Sequence, residues 1–127
     1  MRQATKTQSI EKIDPVWNRI REEAEEIARH EPALGGFIFS LVLNHDSFEE
    51  ALTHRLAQRL GNADIGSDLI VHAFRDAIEA EPEIGHSARA DIIATFDRDP
   101  ACPRYVAPLL YFKGYQAIQT QRMAHRL

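Results

Sequence analysis

The chain has 127 residues, 44% of them hydrophobic and 27% charged, the composition of one water-soluble globular domain. Its 19 acidic residues outnumber 15 basic ones for a net charge of -4. With no run of more than two basic residues, this excludes a general attraction for nucleic acid or an anionic membrane surface. The single cysteine, Cys102, rules out an intrachain disulfide, and neither a secretory h-region nor an apolar run near the ~20 residues of a membrane span is present, so the expected location is cytoplasmic.

Residues 1–13 lack an apolar face and read as a flexible tail ahead of a domain over 14–127. Asp14-Pro15 opens a first helix: Asp14 is a capping acceptor, and Pro15 suits the first helical position. Trp17, Ile20, Ala24 and Ile27 then recur on one face, and the helix ends near His30. Pro32 starts a second segment to about residue 43. Its run over residues 37–43 is apolar on nearly every side, which suits a buried strand or a helix, and the helical neighbours favour helix.

Ser47 and Glu50 have the spacing of a capping box, with Phe48, Ala51, Leu52, Leu56 and Leu60 on one face and Gly61-Asn62 as a left-handed stop. A fourth helix over residues 67–80 turns Leu69, Ile70, Ala73, Phe74, Ala77 and Ile78 inward. A fifth covers residues 87–96. Two prolines, Pro100 and Pro103, then break the helical pattern. It resumes near Tyr105, with Leu110, Tyr111, Tyr115, Ile118 and Leu127 as core contacts, and reaches Leu127 without a capping residue. The expected fold is all-α, about six helices with short loops.

Among the residues with chemistry, His30, His45, His54, His72, His86 and His125 include no i, i+4 pair, so no metal site is expected. Asp68 and His72 are four apart and read as a solvated pair. Gly35-Gly36 lacks the lysine and hydroxyl of a phosphate loop, and reads as a close helix contact. Cys102 has no evident base, although Arg104 stands near it in sequence. Asp97, Arg98 and Asp99 precede Pro100 in a stiffened loop; such a cluster is either a charged helix end or a carboxylate placed for a small ligand.

From this loop onward the sequence resembles serine O-acetyltransferases. The resemblance rests on Arg98-Asp99-Pro100-Ala101, then Tyr105, Pro108-Leu109-Leu110-Tyr111-Phe112-Lys113-Gly114-Tyr115, Gln116-Ala117-Ile118-Gln119, Arg122 and His125. Upstream, Val16-Trp17-Asn18-Arg19-Ile20-Arg21-Glu22-Glu23-Ala24, Glu31-Pro32 and Ala80-Glu81-Pro82-Glu83 stand in the family's order.

The resemblance implies the helical N-terminal domain of an enzyme that transfers acetyl from acetyl-CoA to L-serine for cysteine synthesis. It implies that Asp99 and Pro100 belong to the serine pocket, which also takes L-cysteine as feedback inhibitor. The general base and the CoA site would lie in a following left-handed β-helix, so these residues by themselves bind no cofactor and turn over no substrate. It further implies a dimer of trimers for the enzyme, and a contact with O-acetylserine sulfhydrylase through a C-terminal tail outside these residues. A dimer is expected for the isolated domain. The competing reading is a stand-alone helical oligomerisation module without catalysis; the uncapped last helix favours the fragment.

Overall fold

The computed structural model describes residues 14–127; the expected tail over residues 1–13 lies outside them. Helix α1 (Pro15–His30) starts as its sequence dictates, with Asp14 Oδ1 accepting the Trp17 N–H at 3.2 Å and Pro15 in the first turn. It buries Val16, Trp17, Ile20 and Ala24.

The segment after Pro32 is helical but irregular. A 3-10 turn (Pro32–Leu34) leads into the single-turn α2 (Gly35–Ile38) and then a π-helical stretch (Phe39–Leu43). The Asn44 N–H reaches back to the Phe39 carbonyl at 2.8 Å, the wider closure of a π turn. Ile38, Leu41 and Val42 face the core, while Phe37 and Phe39 are exposed, so the run is buried on one side only. A methyl group added to Gly35 or Gly36 would touch nothing; the expected close helix contact is not there.

Helix α3 (Phe48–Leu60) has half of the expected capping box. Ser47 Oγ accepts the Glu50 N–H at 3.2 Å, but the Glu50 carboxylate turns to Arg75 instead of the Ser47 N–H. Its stop is extended, not left-handed: Gly61 has φ -63° and ψ 143°. Asn62 then organises the loop by accepting the Asp64 and Ile65 N–H groups.

Helix α4 (Ser67–Ala80) packs along α3. Phe74 and Ala77 face inward as expected, and Val71 joins them, but Leu69 is exposed on the first turn. Helix α5 (Glu83–Arg98) begins directly after Pro82, a full turn before the expected start.

The last expected helix is two, α6 (Val106–Tyr111) and α7 (Lys113–Arg126), hinged at extended Phe112. Side chains replace the backbone donors that a continuous helix would supply. Gln116 Nε2 donates to the Leu109 carbonyl at 2.9 Å, and buried Arg55 donates to that of Leu110.

Together, α1, α3, α5, α6 and α7 enclose a core that includes Ile20, Phe48, Leu52, Leu56, Ile92, Leu109, Leu110 and Met123. The Trp17 and Phe48 rings meet edge to face, 6.4 Å apart. Tyr115 is in the core as expected, whereas Leu60, Tyr111, Ile118 and Leu127 are exposed. The described residues contain no strand, as an all-α fold requires. No helix among them is long and apolar enough to cross a membrane.

Candidate functional site

The cluster singled out in the sequence sits where α5 ends. The Asp99 N–H closes the helix on the Thr95 carbonyl at 3.0 Å, and its backbone then turns extended, φ -103° and ψ 109°. That conformation is the one a following proline imposes. Asp99 Oδ1 accepts the Ala101 N–H at 2.9 Å, and the Asp99 carbonyl accepts that of Cys102, also at 2.9 Å. The loop is thus closed on the Asp99 side chain itself. Of the two Asp99 carboxylate oxygens, only Oδ1 takes a hydrogen bond from the described residues. The side chain is half-exposed, and its neighbours Asp97, Arg98 and Pro100 are exposed.

Residues 102–106 fix the loop from behind. Cys102 is buried, and its thiol donates to the Arg104 carbonyl at 3.3 Å. Burial pushes the thiol pKa up, and the Arg104 guanidinium points to Glu26, 3.7 Å away, so no thiolate is favoured here. Glu23 of α1 accepts the N–H groups of Tyr105 and Val106 at 3.1 and 2.9 Å, placing a carboxylate at the start of α6.

Arg19, one turn earlier on α1, lies 3.3 Å from Glu23. Its guanidinium covers the Tyr105 ring at 3.9 Å and the Phe96 ring at 4.8 Å. Tyr105 and Phe96 meet edge to face at 5.0 Å. Residues of α1, α5 and the start of α6 therefore grip both ends of the Asp99 loop. Neither Arg19 nor Glu23 carries a local sequence signal for this role.

The histidines are arranged differently from the sequence spacing. His72 pairs with Asp76 at 3.5 Å, not with Asp68. His45 and His54 stack with ring centroids 4.7 Å apart, and Glu50 lies 3.4 Å from His54. Burial, with the His54 ring second, holds the His45 pKa below its ordinary value. Spacing along one helix does not detect a pair made between a loop and a helix. A shallow cavity of about 290 Å³ adjoins these rings, and a more open cleft of about 550 Å³ lies between Glu81 and Arg126. Asp99 lines neither.

Comparison with known proteins gives the whole arrangement a family. Residues 16–120 match the family model described as serine acetyltransferase, N-terminal. Serine acetyltransferase 4 of Arabidopsis thaliana is 41% identical over 114 residues, which cover 90% of this chain and 32% of the plant protein. The crystal structure of serine acetyltransferase in complex with coenzyme A from Brucella abortus strain S19 superposes with a TM-score of 0.87 at 48% identity. It covers 91% of this chain and 46% of the other. That of the Neisseria gonorrhoeae enzyme in complex with serine gives 0.85 and 38%, covering 88% and 46%.

The chain spans about a third to a half of the length of these relatives. Fold, order of motifs and a family match that takes in the Asp99 loop agree: this chain belongs to the serine acetyltransferase N-terminal domain family.

Proposed function

We propose that this domain forms part of the serine pocket of a serine O-acetyltransferase, which moves an acetyl group from acetyl-CoA to the hydroxyl of L-serine. The observation that carries the reading is the Asp99 carboxylate, held by its own loop and backed by Glu23 and Arg19, with a half-exposed side chain beside Pro100. An anionic acceptor fixed in this way suits the ammonium of an amino acid. Pro100 keeps the backbone extended so that the carboxylate stays presented.

L-Cysteine carries the same ammonium and carboxylate as serine, so it competes for the same contact and acts as a feedback inhibitor. The general base that deprotonates the serine hydroxyl, and the CoA site, belong to the β-helix that follows this domain in the enzyme. The 127-residue chain alone has no acetyltransferase activity. The enzyme works in the cytoplasm as a dimer of trimers, and meets O-acetylserine sulfhydrylase through its C-terminal tail.

Asp99→Ala in the complete enzyme raises KM for serine by about 10–100-fold, the loss of one charge-assisted hydrogen bond. KM for acetyl-CoA stays unchanged. Steady-state kinetics with each substrate varied in turn tests this; equal effects on both substrates, or none, contradict it.

A stand-alone assembly module is the second reading, favoured by exposed Tyr111 and Ile118 on the last two helices and exposed Leu127 just after them. Both readings make the isolated domain a dimer through such faces, and sedimentation showing only monomer at high concentration would contradict that.

A further inference from the structure

We infer that His45, Glu50 and His54 form a binding site for a divalent transition-metal ion of the zinc class. Each offers one ligand atom, and the three atoms lie within 4.8 Å of one another. Two imidazoles and a carboxylate are a ligand set that zinc accepts, with a fourth position left for water. The cavity of about 290 Å³ beside the two rings has room for that water.

The ligands are held before any ion arrives. Glu50 and His54 stand one turn apart on α3 and share a face. His45 comes from the loop ahead of that helix, whose backbone is tied at three points. Its N–H donates to the Val42 carbonyl at 3.1 Å, its carbonyl accepts from Arg21 at 3.1 Å, and the Asn44 N–H reaches Phe39 at 2.8 Å. The His45 Nε2 lies 3.2 Å from the Ser40 carbonyl. With Nε2 donating there, Nδ1 keeps its lone pair for a metal, the outer hydrogen bond that metal-binding histidines usually make.

Arg75 is the competitor. It holds both Glu50 oxygens, at 2.9 and 3.0 Å, as an exposed ion pair. Exposed pairs of this kind are weak, so an ion bound by both histidines draws Glu50 away from Arg75. Bound there, the ion ties the loop before α3 to the first two turns of that helix.

Zinc chloride titrated into the 127-residue protein, by calorimetry and with cobalt(II) absorption as the spectroscopic counterpart, gives one ion per chain. Zinc also raises the melting temperature, because it binds the folded state. His45→Ala and His54→Ala, at part-exposed positions that leave the fold intact, each weaken binding by at least the ~10–100-fold that losing an outer-shell partner costs. Arg75→Ala strengthens it by freeing Glu50. Absence of saturable one-to-one binding overturns the proposal, as does a His54→Ala variant that binds like the parent. If Arg75→Ala binds no more tightly, Glu50 is not a ligand and the three-residue site fails. Asp99→Ala leaves the titration unchanged, so failure here is distinguishable from failure of the serine-pocket reading.

Discussion

Cys102 and Asp99 sit three residues apart and face opposite fates. Asp99 keeps a half-exposed side chain at the end of α5, whereas Cys102 turns inward and donates to Arg104. Burial raises the thiol pKa, so the folded state favours the protonated form. The contribution to stability is therefore complete below the unfolded thiol pKa and is lost as pH rises through the folded value. At pH 8 a thiol-specific reagent should label native protein far more slowly than urea-unfolded protein; equal rates would contradict this burial.

The break at Asp99 was legible, because Asp-Pro is a local signal that ends α5 and turns the backbone extended. Glu23 was not: its partners are the N–H groups of Tyr105 and Val106, 82 and 83 positions away. Nothing in the pattern of a charged helix face marks one glutamate for that task.

Elements followed local rules where the decisive contacts were local. Asp14 and Ser47 cap their helices as their types and positions require. Local pattern misled where a distant side chain intervened: Glu50 abandons the capping box for Arg75, and α6 parts from α7 because Arg55 and Gln116 take its terminal carbonyls. The segment after Pro32 was legible as helical but not as π-helical, since apolar periodicity cannot specify which carbonyl closes a turn.

Helix α6 has six residues and no side-chain cap of its own at Tyr105, too short to persist unaided. Glu23 supplies that acceptor from α1. Glu23→Ala should therefore lower stability by about 1–2 kcal/mol, the usual loss for a capping acceptor, as read from urea unfolding. An unchanged midpoint would show that α6 is held by packing alone.

Over the domain as a whole, the fold closes through Arg89 of α5. It binds Asp14 at the start of α1 at 2.8 Å and Glu49 of α3 at 2.7 Å, with its guanidinium 4.9 Å from the Phe48 ring. Burial works against the charge, but hydrogen bonds with Glu49 and Asp14 outweigh it and hold the Arg89 pKa above its ordinary value. Beside this triad a Cβ on Gly85 would stand 2.5 Å from a Glu49 oxygen, so any larger residue there would push the Glu49 carboxylate aside.

Arg89→Met leaves two part-buried carboxylates facing each other and should destabilise the domain by roughly 3 kcal/mol, the low end for breaking a buried pair. Chemical denaturation showing a loss under about 1 kcal/mol, the range of exposed pairs, would mean that solvent screens the triad. The all-α class and most of the core were readable from periodicity. Exposed Tyr111, Ile118 and Leu127 were not, because a single apolar residue does not announce whether its side of the chain faces the core.

Completion of a serine pocket by this domain is best tested by a domain exchange. Residues 14–127 replace the matching N-terminal segment of the Neisseria gonorrhoeae serine acetyltransferase, and acetyl transfer to serine is measured with and without Asp99→Ala. The expected result is an active chimaera whose kcat/KM for serine falls with Asp99→Ala, while the isolated 127-residue chain stays inactive. A folded chimaera without activity, or one indifferent to Asp99→Ala, would contradict the serine-pocket role.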